Sequence, residues 1–95
     1  MDNQHRKIEG YRELSQEEID LINRIKIHGA KTEQLVGDVM IHLSKQRKEA
    51  HESEDAETLM RYMSTRPLRF AELSQDNFQV ALMQLTRAVA QPTNF

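Results

Sequence analysis

Residues 15–48, SQEEIDLINRIKIHGAKTEQLVGDVMIHLSKQRK, decide the fold. The run Ser15-Gln16-Glu17-Glu18 is a capping box: the Ser15 hydroxyl accepts from the backbone NH of Glu18, and the Glu18 side chain reaches back to the Ser15 NH. Glu17, Glu18 and Asp20 also suit the positive end of a helix. From there Ile22, Ile25, Gly29, Thr32, Val36, Val39 or Met40, and Leu43 return every three or four residues, the spacing of one helical face, without a phase break. This predicts one helix from 16 to 48. Gly29 costs a helix about 1 kcal/mol relative to Ala, so it marks a kink or a close approach by another backbone or ligand. The other reading ends the helix there, because Gly is the usual residue just past a C-terminus.

Working outward, Lys45, Arg47 and Lys48 suit a helix C-terminus, and His51-Glu52-Ser53-Glu54-Asp55 reads as a polar turn with an acidic start to the next helix. A second helix is expected over 54–64 on Ala56, Leu59, Met60 and Met63. Pro67 breaks it, since proline lacks the NH and disfavours helical geometry at Arg66. A final helix is expected over 67–90, with a stripe of Ala71, Ser74, Phe78, Leu82, Leu85 and Val89, until Pro92 stops it. Residues 1–14 form a polar arm with Gly10 just before Tyr11.

The chain therefore reads as all-α, a single helical domain over 1–95 built as an antiparallel hairpin of long helices, with the returning helix (54–90) broken near Pro67. No stretch alternates as a strand would. Ile19, Leu21, Ile27, Ile41, Val80 and Met83 lie off the main seams, and in a chain of 95 residues they stay in water unless copies pack together. A helical homo-oligomer is the expected assembly.

Composition excludes several functions. There is no cysteine, hence no disulfide, thiolate metal site or thiol nucleophile. No apolar run approaches the roughly 20 residues that cross a bilayer, and MDNQHRKIEG has no signal-like apolar segment. A soluble, cytosolic protein without a membrane partner is expected. The formal charge of -2 argues against a duplex DNA binder. The cations gather near the ends, however: Arg6, Lys7 and Arg12 on one side, Arg61, Arg66, Arg69 and Arg87 on the other, with an acidic middle. An anionic ligand is expected there.

No enzyme motif stands out. His28 and His42 are fourteen residues apart, too far to share an ion, and there is no His-x-x-x-His pair, phosphate loop or Gly-x-Ser-x-Gly elbow. His51 beside Glu52 reads as solvated surface. No metal, no cofactor and no catalytic residue are assigned. The arm is harder to explain by packing. His5-Arg6-Lys7-Ile8-Glu9-Gly10-Tyr11-Arg12 combines cations with a ring beside a glycine, a kit for stacking a base and pairing with phosphate; Tyr11 as a structural anchor is the competing reading. Lys26, about three turns into the first helix, lies within folding-back distance of the arm and offers a point charge for phosphate, against the plain alternative of a solvated lysine. The Arg66-Pro67-Leu68-Arg69 corner is a second cationic spot, or simply surface charge.

These segments, HRKIEGYRELSQEEIDLINRIK, the PLRFA corner and the closing RAVAQP, resemble the small phage anti-CBASS proteins that act as cyclic-oligonucleotide sponges, a family sharing its helical hairpin with a Thoeris anti-defence sponge. The likeness spans almost the whole chain and is most specific over its first twenty-six residues. It implies a homohexamer in the cytoplasm of the infected bacterial host that sequesters messengers without cleaving them. By the resemblance, Tyr11, with Gly10 and Arg12 beside it, stacks on a base of a cyclic dinucleotide such as cyclic GMP-AMP, and Lys26 contacts phosphate, in pockets between subunits. It further implies cyclic trinucleotides as ligands of some members, with Arg69 as the phosphate contact; here Phe70 follows where some relatives carry Trp. Two rival functions remain: a helical module that inhibits a partner protein, and a phosphodiesterase acting on the same ligands.

Overall fold

The computed structural model describes residues 12–94, which hold three helices and no strand: α1 (Gln16–Glu52), α2 (Ala56–Thr65) and α3 (Pro67–Ala90). The capping box forms as its sequence demands. Ser15 is extended (φ −72°, ψ 165°), the Glu18 NH donates to its hydroxyl at 3.2 Å, and the Ser15 NH donates to Glu18 Oε1 at 2.8 Å. Two of the orphan donors that every helix start exposes are thereby satisfied.

α1 passes through Gly29 as one helix and ends four residues later than the cationic run suggests, at Glu52. Two things carry it on. Ala50 is the most enclosed apolar side chain among the described residues, 1% exposed, and the Ser53 NH closes the last turn on the Glu49 carbonyl at 2.9 Å. The turn shrinks to Ser53–Asp55. Asp55 then caps α2, its carboxylate accepting from the Glu57 NH at 3.1 Å and the Thr58 hydroxyl at 2.6 Å, so α2 starts at Ala56 rather than at 54. These bonds, the Thr58 hydroxyl first, hold the Asp55 carboxyl below its ordinary pKa.

Within α2 the face that meets α1 carries Leu59 and Tyr62, whose hydroxyl donates to the Leu43 carbonyl at 3.2 Å. Met60 and Met63, expected on that face, point away, at 69% and 63% exposed. The break at Pro67 falls where the sequence puts it. Arg66 takes left-handed geometry (φ 50°, ψ 55°), ending α2 and preceding the proline that opens α3, because the proline ring crowds the right-handed helical region at the residue before it.

α3 returns antiparallel along α1: Arg12, just before α1, meets Val89, and Gly29 further along faces Leu82, while Leu43 beyond them meets Tyr62 of α2. Gly29 marks a close approach, since a Cβ there would meet Leu82 Cδ1 at 3.1 Å. Met40 rather than Val39 completes the inward stripe, Val39 being 42% exposed. The returning stripe is only partly covered, with Phe78 and Leu85 exposed.

The resulting body measures 69 × 22 × 19 Å, with a radius of gyration of 20.5 Å against about 12 Å for a compact chain of this length. Its surface is 8137 Å², where a compact monomer of this mass exposes about 5,700 Å². Among the described residues only Val36, Leu43, Ala50 and Ala71 are buried apolar side chains, whereas fifteen large ones are exposed, including Ile19, Leu21, Ile27, Ile41, Val80 and Met83. A pair of helices covers one face of each. The rest is left facing water.

Candidate functional site

The open end of the hairpin, where α1 begins and α3 finishes, is tied by one side chain. The Arg12 guanidinium donates to both oxygens of Glu18, at 3.0 Å to Oε1 and in a shorter contact to Oε2, and also to the Val89 carbonyl at 2.9 Å. A planar fork of five donors can serve a carboxylate and a third acceptor together; an ammonium cannot do this with the same geometry. The site is electrostatically apt: a carboxylate lies in the first turn of α1 and a cation meets the last carbonyls of α3. Glu18 is held at a pKa of about 2, against an ordinary 4.5, by the Arg12 hydrogen bond first and then by the Ser15 backbone and side chain. The same bond raises Arg12.

About two turns further along α1, α1 and α3 leave a concavity of about 570 Å³ lined by Lys26, Gly29, Met83, Thr86, Arg87, Ala90 and Pro92, among others. That volume falls within the roughly 300–1,000 Å³ of small-molecule sites. Its floor is apolar. Lys26 stands on the α1 wall and Arg87 on the α3 wall, so two cations border one trough. The small size of Gly29 lets Leu82 sit close against α1 and helps shape that floor. Lys26 also edges a second concavity of about 380 Å³ toward Val36 and Phe78.

Across the seam, on the opposite flank of α1, Arg24, His28 and Lys31 border a third concavity of about 500 Å³ with Leu21, Ile27, Leu85 and Val89. Sequence reasoning passed over this trio. Its signal was the spacing of four and three, which puts three basic residues on one helical face.

Of the residues singled out in the sequence, Gly10 and Tyr11 lie outside the described residues. Arg12 sits at the open end of the hairpin against Val89, which lines the concavity of Arg24, His28 and Lys31 rather than the Lys26 trough. Arg69 is not part of this group. It lies with Phe70 in the first turn of α3, both exposed, eleven residues before Val80, the first α3 residue of the trough that Lys26 shares with Arg87, hence roughly 16 Å away along the axis. Missed by the sequence reading were the roles of Glu18 and Val89 as partners of Arg12, and Arg87 as the second cation of the trough. Among the described residues no three His, Asp or Glu side chains converge as a metal site would require. No described helix is long and apolar enough to cross a membrane.

Comparison with known proteins agrees with this geometry. Residues 4–90 match the family described as the Acb2/Tad1 hairpin domain. The chain is also 40% identical, over 105 aligned positions covering 97% of each protein, to Anti-CBASS protein 2 of Pseudomonas phage JBD67. A hairpin of long helices, matched by a family over nearly its whole length and by a full-length relative, places the chain in that family: it is a member of the Acb2/Tad1 hairpin proteins.

Proposed function

We propose that this protein is a phage anti-defence protein that binds cyclic-oligonucleotide messengers and holds them uncleaved, lowering the amount free to switch on a CBASS effector. The observation that carries this reading is the trough in which Lys26 and Arg87 stand on opposite walls above an apolar floor, in a chain akin to a protein named for opposing CBASS. Two cations spaced across an apolar trough suit a ligand that alternates phosphates with flat bases. Tyr11, with Gly10 and Arg12 beside it in sequence, is the ring assigned to stack on a base.

Val80 and Met83, which line the trough, are exposed apolar side chains. We place the complete site between copies of the chain, in a homohexamer, where a ligand of near two-fold symmetry meets paired Lys26 ammoniums and Tyr11 rings. Arg69 and Phe70, far from that trough, are assigned to a separate site for cyclic trinucleotides. Binding alone accounts for the effect; no step of bond cleavage is invoked.

The test is incubation of stoichiometric protein with a panel of cyclic di- and trinucleotides, followed by filtration and chromatography of the unbound and heat-released fractions. Depletion of a cyclic dinucleotide with intact release is expected. No depletion overturns the reading, and a linear product replaces it with phosphodiesterase activity. A second reading is favoured by the fifteen exposed large apolar side chains: a helical module that inhibits a partner protein through its stripe. It requires that the double substitution Tyr11→Ala, Lys26→Ala leave anti-defence function unchanged.

A further inference from the structure

We propose that the concavity next to the trough is a slot for one base of the messenger, with the Phe78 ring as its stacking surface and the Glu33 carboxylate reading the base edge, so that guanine is preferred over adenine. This rests on the trough beside Lys26 being the messenger site. Trough and slot adjoin between α1 and α3 and share Lys26, Gly29 and Leu82. Their linings differ in kind. The trough carries two cations and neither a ring nor a carboxylate, whereas the slot, of about 380 Å³, adds Phe78, Gln75, Gln79 and Glu33 to the apolar Ala30 and Val36. Groups that suit phosphate lie to one side of Lys26, and groups that suit a base lie to the other.

Helical spacing builds this slot. Lys26, Ala30 and Glu33 stand on one face of α1, and Gln75, Phe78, Gln79 and Leu82 on one face of α3. Lys26 and Glu33 are seven residues apart, about 10 Å along the axis, and form no ion pair. Among the described residues Glu33, Gln75 and Gln79 have no hydrogen-bond partner, although Gln75 is half-buried. The Thr32 hydroxyl beside them is already taken, donating to the His28 carbonyl at 2.9 Å. A ring against an apolar wall stacks on any base, because every base has a π-face. Discrimination comes from the edge. A carboxylate only accepts, through two oxygens. Guanine offers two adjacent N–H donors on its pairing edge, one for each oxygen; adenine offers one, beside a ring nitrogen that repels the second oxygen. The glutamine amides, each both donor and acceptor, serve the polar atoms that remain.

Titration calorimetry of the wild type is expected to show 3′,3′-cyclic GMP-AMP bound about tenfold more tightly than 3′,3′-cyclic di-AMP, within the range of one bidentate base contact. Glu33→Gln keeps the size and removes the charge and one acceptor; it should cut that preference to under about twofold, through weaker binding of cyclic GMP-AMP. Lys26→Ala, which touches only the shared phosphate chemistry, should weaken both ligands alike. Phe78→Leu should weaken both by about fivefold or more through loss of stacking, while Phe78→Tyr keeps both affinities. A wild type without preference, or a Glu33→Gln that retains it, overturns the reading by Glu33; wild-type affinities in Phe78→Leu overturn the slot. A wild type that binds neither messenger refutes the trough instead. Titration with guanosine and adenosine monophosphate then decides the slot by itself: the side-chain amide NMR signals of Gln75 and Gln79 should move with the guanine nucleotide and less with the adenine one, and signals that stay put overturn the proposal.

Discussion

The two halves of the hairpin are built to different standards. All four buried apolar side chains, Val36, Leu43, Ala50 and Ala71, belong to the half next to the turn, where α2 also lies across α1. In the open half, from Ser15 to Leu35 on α1 and from Phe78 to Ala90 on α3, no residue is fully buried. What joins the helices there is a seam of half-buried Ile22, Ile25, Leu82 and Val89, with a close approach at Gly29 and the Arg12 bonds. One half holds the fold together by exclusion of water; the other presents charged groups over apolar floors. Separating the two lets that end stay open without unmaking the hairpin, and leaves a thin core.

The sharpest way to break this comparison is to make the same change in both halves. Leu43→Ala, at a residue 9% exposed, is expected to cost about 2–3 kcal/mol in chemical denaturation. Leu85→Ala, at 53% exposed, should cost under about 1 kcal/mol in dilute protein. A loss at Leu85 as large as that at Leu43 would mean that a second copy covers the open half. The two helical glycines give a smaller contrast. A Cβ at Gly37 meets nothing within 4 Å, so Gly37→Ala should stabilise by about 0.5–1 kcal/mol. Gly29→Ala should gain less, because Leu82 must give way. A destabilised Gly37→Ala would place another chain against that position.

Acid should act on the open half through Glu18. Its pKa lies at about 2 in the folded chain and near 4.5 when unpaired, so its contribution is fully present above the unpaired value and is lost as the pH falls from about 4.5 toward 2. The thermal midpoint of the wild type should therefore fall more steeply across that window than that of Glu18→Gln. Smallest for the fold is Lys26→Ala, an exposed substitution expected to change stability by no more than about 0.5 kcal/mol while abolishing depletion of cyclic dinucleotides. Equal depletion by Lys26→Ala would remove the trough from the site.

The parts legible in the sequence were those written in local chemistry. Ser15 and Glu18 are three residues apart, and their reciprocal bonds follow from the spacing. Pro67 announces its own corner and the loss of right-handed helical geometry at Arg66, though not the left-handed conformation that Arg66 takes. The off-seam apolar residues were legible too, because a helix that pairs once has a back. Less legible was the end of α1, where Lys45, Arg47 and Lys48 look like a last turn although Ala50 is what carries the helix on. α2 was misread in phase: Tyr62, with a polar tip that reaches the Leu43 carbonyl, turned inward, and the methionines did not. Arg12 looked like a free cation because its third partner, Val89, is 77 residues away, beyond the reach of any local pattern. Arg87 was visible as charge, but its place opposite Lys26 depends on the register of two helices.

The bond between Arg12 and Val89 also bears on topology. It brings the base of the arm and the last turn of α3 within one side chain of each other, while the other extremity of the molecule ends in an exposed three-residue link, Ser53–Asp55. Joining the chain behind α3 to Arg12 through a short linker, and cutting between Ser53 and Asp55, yields a circular permutant in which α2 and α3 precede α1. Every helix keeps its neighbours in that rearranged chain. The length of that linker then sets how far the two helix ends can part at the open end, a quantity that an experimenter chooses.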